Sequence, residues 1–513
     1  MTNKLSTLSK NVDDSEKYTA DLDQALNVVG LGIYNIKYCF VLGLCLVAAI
    51  VEPVGYSYLL PASKCDLEMS DTARGFIGSI PYIGVVLTSF PWGYLVDTRG
   101  RKPILIVSSV AAGLLGAAAG LMPDLVTFTI CKFLCSLCLA CPAAAPYTYI
   151  GEILPPRFRD ITLSVTNSMQ ILGSALVPLF GWAILPADFK IDLGLYYLRP
   201  WRVLCVVYAA MFILAAILMS FGPESPKYLV SQGRHEEALQ VLRDMYAGNK
   251  GKSPEDFPIK ALKVPDSKER LNVGFLTSLK LQTTPLLKPP FLKWMMLNGF
   301  LLFGVFMILN GLVMWIPDVL NRVLSSDTGQ SMTACEVIGQ GTKGNTTLDT
   351  VCIDTIDTLT FSINSIASIA CSGIALVVST TVKVIGKKIL LILIMLVIGL
   401  FCIMINVTTQ PMVFAILLSS MPLTGLSIGP INAYSVEIFP TELRGMAVSL
   451  SMMLGRLGSI SGANIAGAMI NTACEPMFYM FAGFIMFCSL CAFLLPKSQE
   501  KLSNRKEEIT THL

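Results

Sequence analysis

The chain has 513 residues and a formal net charge of +3, with 53% of residues hydrophobic and only 14% charged. Soluble domains carry about 25% charged residues, so this composition, with a mean hydropathy of +0.64, excludes a string of three or four water-soluble domains. A helix needs about 20 mostly apolar residues to cross the hydrocarbon core, and the class that fits is an all-α polytopic membrane protein.

The first 37 residues are polar and lack a short apolar core followed by a cleavage site. No cleavable leader is expected, and the first apolar run acts as its own insertion signal. Twelve apolar runs follow, near 38–60, 73–95, 104–122, 126–149, 161–185, 203–221, 291–317, 358–381, 389–406, 412–433, 446–470 and 476–495. Between the sixth and seventh lies a polar segment rich in Pro and Lys. The expected organisation is therefore an N-terminal segment (1–37), a six-helix bundle (38–221), a central loop (222–290), a second six-helix bundle (291–495) and a tail (496–513). Within the loop, HEEALQVLRDMY has the period of a short amphipathic helix lying on the membrane face.

With the N-terminus inside, the short cytoplasmic loops and tail hold 13 Lys and Arg, against seven on the other side. That excess sets the orientation, and an even number of spans puts both termini in the cytoplasm. The membrane is either the plasma membrane or that of an intracellular vesicle. Most of the 15 cysteines fall inside apolar runs, where they read as small buried hydrophobes. Cys65, Cys335, Cys352 and Cys474 map to the outer side, where disulfides persist. Cys335 and Cys352 share one loop and are the expected pair. Asn345-Thr346-Thr347 in that loop is a glycosylation acceptor; Asn406-Val407-Thr408 lies too close to a helix end to be modified.

The two halves are related. YIGEILPPRFRDITLSVTNSMQILGS (149–174) aligns without gaps to YSVEIFPTELRGMAVSLSMMLGRLGS (434–459) at an offset of 285. In each, a helix ends at Tyr-x-x-Glu, a Pro-containing turn follows, and an Arg opens the next apolar run. A duplicated six-helix unit implies two pseudo-symmetric bundles around a midplane cavity that can be exposed to either side in turn.

Between the second and third runs, GYLVDTRGRKP (93–103) places a knot of charge beside two glycines. It resembles the signature G-x-x-x-D-x-x-G-R-[RK] of the major facilitator superfamily. The resemblance implies a cytoplasmic latch that forms when the carrier faces outward and breaks when it faces inward. Gly93 would let helices approach closely, and Gly100 would permit the tight turn. Asp97 would pair with an Arg or a helix N-terminus of the opposite bundle, while Arg101 and Lys102 hold the loop on the cytoplasmic side. Glu152, Arg159, Glu437 and Arg444 at helix ends would form charge clusters supporting the latch. In the second half TTVKVIGKK puts Lys383 where the acid would fall, so one latch of this kind is expected.

RPWRVL (199–204) and PESPKYLVSQGRHEEALQVL (223–242) resemble segments shared by sugar porters, organic-ion transporters and the synaptic vesicle glycoprotein 2 family, and NGLVMWIPDVL (310–320) most resembles the last of these. The paired glutamines that sugar porters carry in helix 7 are missing from MMLNGFLLFGVFMILNG. Helix 1 keeps one acid, Glu52, with Ala49 where the vesicle proteins carry another.

An ionised group at mid-bilayer costs about 2.5–3.5 kcal/mol on insertion scales and marks a pathway or a pair. Glu52 is a candidate for binding a cation or proton, or for a buried salt bridge. Lys132 is the candidate structural partner. Arg456 suits a carboxylate or another anion and resembles the helix 11 basic residue of some organic-ion transporters. Gln170, Asn298, Asn310 and Trp315 complete the candidate substrate site, with Asn167, Asn432 and Tyr82 as further lining residues or interhelical glue. His235 and His512 are the only histidines, and the chain has no Walker loop, His-rich metal cluster or nucleophile elbow. The expectation is a secondary transporter of small organic solutes, an organic ion or polar metabolite, working without catalytic residues, resident metal or cofactor, and possessing no nucleic-acid partner. A coupled ion and the lipid bilayer are its other partners. Two alternatives stand beside it: a vesicle membrane protein of carrier fold acting through binding partners, and a sugar porter.

Overall fold

A computed structural model describes residues 19–187, 189–263, 275–325, 332–343, 355–440 and 443–496. Asn345 and Cys352 lie outside the described residues. Eleven helices among the described residues are long and apolar enough to cross a membrane. A further 26-residue helix, Arg444–Met469, is rich in Gly, Ser and Met and packs between spans of both halves. In chain order the spans are Ile33–Ser63, Asp71–Arg99, Arg101–Gly120, Leu125–Ile153, Pro156–Ile184, Pro200–Ser220, Phe291–Leu324, Thr358–Ile385, Lys387–Val407, Pro411–Ser435, Arg444–Met469 and Cys474–Ala492. They are numbered 1 to 12 below. One apolar cluster draws its buried residues from 286–495 alone, while the remaining three draw theirs from the first half, with Phe361 as the one addition.

Small residues on span 11 set the packing of the second half. A Cβ on Gly462 would run into the Met307 carbonyl oxygen, and one on Gly458 into that of Phe303. Only hydrogen fits at such backbone contacts, which is how helices associate where lipid offers no hydrophobic drive. Span 7 widens into a π-turn over Met307–Leu312 at the same level.

The RPWR stretch is a staple. Arg202 is 1% exposed and donates to Gly120 O at 3.2 Å and to Asp66 Oδ2 at 3.1 Å, while Trp201 Nε1 donates to the same carboxylate at 3.2 Å. Arg199 pairs with Asp66 at 3.4 Å. Two neighbouring turns are thereby tied to the start of span 6.

The polar N-terminal segment contains a helix that sequence reading passes over. Leu22–Val29 starts at Asp21 in a reciprocal capping box with Gln24 and buries Ala25, Leu26 and Val29. These meet Ala238, Leu239, Leu242 and Met245 of the helix His235–Lys250, beneath span 1. That amphipathic helix thus turns its apolar face to protein, correcting the expectation that it lies on lipid. Thr19–Ala20 pairs in parallel with Ala261–Leu262 beside it.

Cys335 is bonded to Cys474, which corrects the expected Cys335–Cys352 pair. The loop helix Ala334–Lys343 brings Cys335 against the start of span 12, a juxtaposition that loop membership could not reveal. Cys65 is also disulfide-bonded. Asn406 is buried, and its amide donates to Glu475 O at 3.0 Å.

Candidate functional site

At the turn between spans 2 and 3, Gly100 has φ +108°, and a Cβ there would sit 2.6 Å from a Glu224 carboxylate oxygen. Glycine is required on both counts. Glu224 accepts the Arg101 and Lys102 N–H groups, each at 3.2 Å, and that of Ser225 at 2.8 Å. Burial nevertheless raises its pKa, outweighing these bonds. The Arg101 guanidinium forks onto Glu152, with Nε and Nη2 each 3.0 Å from a carboxylate oxygen, and lies over the Tyr228 ring. Ser225 Oγ donates to Glu152 as well. Asp97, 72% exposed at the end of span 2, pairs with Arg101 at 3.2 Å across the Gly100 turn. A Cβ on Gly93 would meet open space, so the close approach expected there is not made in this structure.

The second half repeats much of this turn. Gly386 has φ +87°, Lys387 bonds Glu437, and Arg444 Nε donates to Phe439 O at 3.2 Å. In the first half Arg159 Nε donates to Leu154 O at 3.1 Å and its Nη2 reaches Asp23 at 2.6 Å. Tyr149 donates to Pro223 O, as Tyr434 does to Pro496 O. The second copy therefore loses the acid of the motif but retains its basic–acidic pair, a retention that the Lys383 substitution hid.

Glu52 and Lys132 form an ion pair of 2.7 Å inside the first bundle, each 1% exposed. Lys132 Nζ lies 5.0 Å from the centre of the Tyr56 ring. Among the described residues Glu52 Oε2 is buried without a hydrogen-bond partner, so half of the carboxylate is left with unused acceptor capacity.

The seam between the halves holds Arg456. Its Nη1 donates to Ser89 Oγ of span 2 at 3.1 Å, it is half-buried, and it has no carboxylate partner among the described residues. Among the described residues, the Asn432 amide on span 10 reaches Met452 Sδ, at 3.8 Å, and its buried Oδ1 has no hydrogen-bond partner. In the first half the structure groups Gln170 and Asn167 around Tyr147, whose hydroxyl donates to Gln170 Oε1 at 2.6 Å and lies 3.2 Å from Asn167 Oδ1. Sequence reading missed Tyr147, although it stands at the position matching Asn432 in the repeat. Tyr82 is half-buried on span 2.

The other candidates are packed away from this group. Asn298 is fully buried and donates to Ser435 Oγ at 2.9 Å, and Asn310 donates to Ser459 Oγ at 3.0 Å. Trp315 is 1% exposed, donates to Ala463 O at 3.4 Å and carries the Arg74 guanidinium over its ring at 4.7 Å. Three of the proposed lining residues thus serve as contacts between helices.

Comparison with known proteins gives the same architecture. Synaptic vesicle glycoprotein 2C of Mus musculus is 27% identical over 263 residues, covering 50% of this chain and 36% of its own length. Synaptic vesicle glycoprotein 2A of Rattus norvegicus is 27% identical, covering 50% of this chain and 35% of its own length. The match thus spans about a third of these relatives. The inward-open xylose transporter XylE from E. coli superposes with a TM-score of 0.64 at 16% identity over 92% of this chain and 99% of its own. A point mutant of the nucleoside transporter NupG gives 0.58 at 14%, covering 93% and 100%. The Major Facilitator Superfamily profile matches residues 42–347 and 354–513, and the chain belongs to that superfamily.

Proposed function

We propose that this protein is a secondary carrier that moves a small organic solute bearing a negative charge, by alternating access of the seam between its two bundles. The observation that carries the reading is Arg456: a guanidinium between the halves whose hydrogen bond goes to a neutral hydroxyl. A guanidinium presents five donors in a fixed fork suited to a carboxylate or phosphate. A polar cluster at Tyr147, Asn167 and Gln170 supports a solute with hydrogen-bonding groups at its other end. An uncharged sugar would leave the Arg456 charge unmatched, which argues against the sugar-porter alternative.

Glu52 and Lys132 are the groups through which an ion gradient would act. A proton arriving at Glu52 would release Lys132 from its pair, and the unpartnered Oε2 is where it would land. One solved structure of similar fold is that of a D-xylose-proton symporter; coupling to a proton here rests on the buried pair. The turn at Arg99–Arg101 is assigned to the cytoplasmic face.

The test is a thermal-shift screen of organic acids, phosphates and neutral solutes on wild type and Arg456→Ala, followed by uptake into proteoliposomes. A ligand stabilises the state that binds it. An anionic solute should raise the melting temperature of wild type alone and be accumulated by wild type alone. Equal stabilisation of both proteins by every active solute would overturn the assignment.

A further inference from the structure

We propose that Arg74 is the bolt of an ion-pair clasp that shuts the seam at the face opposite the Gly100 turn, and that parting this clasp admits solute from that face. The proposal deepens the alternating-access reading and rests on it for the meaning of the motion, though not for the clasp itself.

The clasp alternates charge across the two halves. Arg74 on span 2 bonds Asp71 at 2.7 Å in its own helix and Asp318 of span 7 at 3.3 Å across the seam. Arg322 answers from span 7, 2.8 Å from Asp318 and 3.7 Å from Asp71. Asn471, beyond span 11, accepts from Arg322 at 2.8 Å and donates to Asp71. Lys64 closes the outer edge, 3.4 Å from Asp71. Trp315 lies under the Arg74 guanidinium. Trp315 and Asp318 of the WIPD stretch are thus the receptor for one arginine of the other half, which gives that stretch a physical task.

Below the charges the helices touch through backbone. A Cβ on Gly75 would lie 2.8 Å from Ala463 O and 3.3 Å from Gly467 Cα, and one on Gly467 would lie 2.8 Å from Asp71 O. At 1.5 Å rise per residue, Ser89, the partner of Arg456, sits about 22 Å further along span 2 than Arg74. The clasp is a rim closure separate from the polar seam site.

Its chemistry suits a reversible contact. Desolvation offsets much of the attraction within a buried ion pair, so such a network is weak permanent glue. Here the groups stand at helix ends, and Arg322 retains 25% side-chain exposure. When the halves part, water can replace each partner. An apolar seal would instead expose greasy surface on every cycle.

The test is hydrogen–deuterium exchange on the purified full chain in nanodiscs without added solute, so its outcome does not depend on whether Arg456 binds anything. Peptides covering 71–78 and 313–324 should exchange at least about tenfold faster in Arg74→Gln and Asp318→Asn than in wild type, because local opening sets the rate. The charge exchange Arg74→Asp with Asp318→Arg puts both acids on span 2 and both arginines on span 7, and should restore protection. Unchanged exchange in the single variants overturns the clasp, as does a charge exchange that fails to restore protection, since loss of packing alone would give that result. Should Arg74→Gln fail to fold, Asp318→Asn decides by the same criterion with the Arg74–Asp71 pair intact.

Discussion

Arg159 and Arg444, at equivalent positions in the repeat, each turn Nε–H back onto the carbonyl five residues upstream, Leu154 and Phe439. Both close the Pro-containing turn that joins an even-numbered span to the next. They differ in their remaining donors, because Arg159 alone reaches Asp23 of the N-terminal helix.

That difference yields a selective effect. Arg159→Ala should speed hydrogen exchange in residues 22–29, whereas Arg444→Ala should leave that peptide unchanged. The ion pair is part-exposed and worth about 0–1 kcal/mol, so global stability should move little in either variant. Equal exchange at 22–29 in the two variants would show that the apolar contacts alone hold the helix.

Glu224 predicts a pH response of the same face. Burial raises its pKa above the ordinary carboxylate range, so the docked state binds the proton more tightly than an undocked or unfolded one. Stability of docking is then greatest at low pH and falls as pH rises through the window from the ordinary value to the raised one. Exchange in residues 223–231 should increase across that window once corrected for intrinsic rate. Glu224→Gln keeps an oxygen acceptor for the Arg101 and Lys102 N–H groups and should flatten the profile; a slope retained in that variant would assign the titration elsewhere.

The disulfide offers a direct check of connectivity. Digestion without reductant should release a peptide pair joined through Cys335 and Cys474. Removing a disulfide typically lowers stability by about 2–4 kcal/mol, so Cys335→Ser and Cys474→Ser should show similar falls in melting temperature. A peptide joining Cys335 to Cys352 would refute the pairing.

Twelve spans and their duplication were legible because lipid demands long apolar runs and the repeat preserved Tyr149, Glu152 and Arg159 beside Tyr434, Glu437 and Arg444. The knot around Gly100 was legible as a turn, yet its acceptor Glu224 lies 123 positions from Arg101 and is joined to it only by folding. Arg74 and Arg322 are two of the seven basic residues counted on the outer side, and nothing in the sequence joins them to Asp71. Their clasp depends on spans 2 and 7 meeting, with Arg74 and Asp318 separated by 244 positions. Leu22–Val29 was hidden because it covers less than three turns and finds its apolar partner in the central loop. Glu52 and Lys132 were legible as a pair in kind, since two opposite charges in lipid seek each other.

That pair supports a sharper measurement. Glu52→Gln or Lys132→Met alone leaves one ion buried without its partner, which typically costs about 3–5 kcal/mol. Removing both charges together takes away the desolvation penalty with the attraction, so the double variant should be close to wild type and more stable than either single one. A cycle of the four proteins would then give a large coupling energy, as expected for groups 2.7 Å apart. If the gradient acts through Glu52, the double variant should fold, retain solute exchange between the two sides and lose accumulation driven by a pH gradient. Additive losses of stability would show that the two charges act separately, while accumulation preserved in the double variant would place coupling at another group.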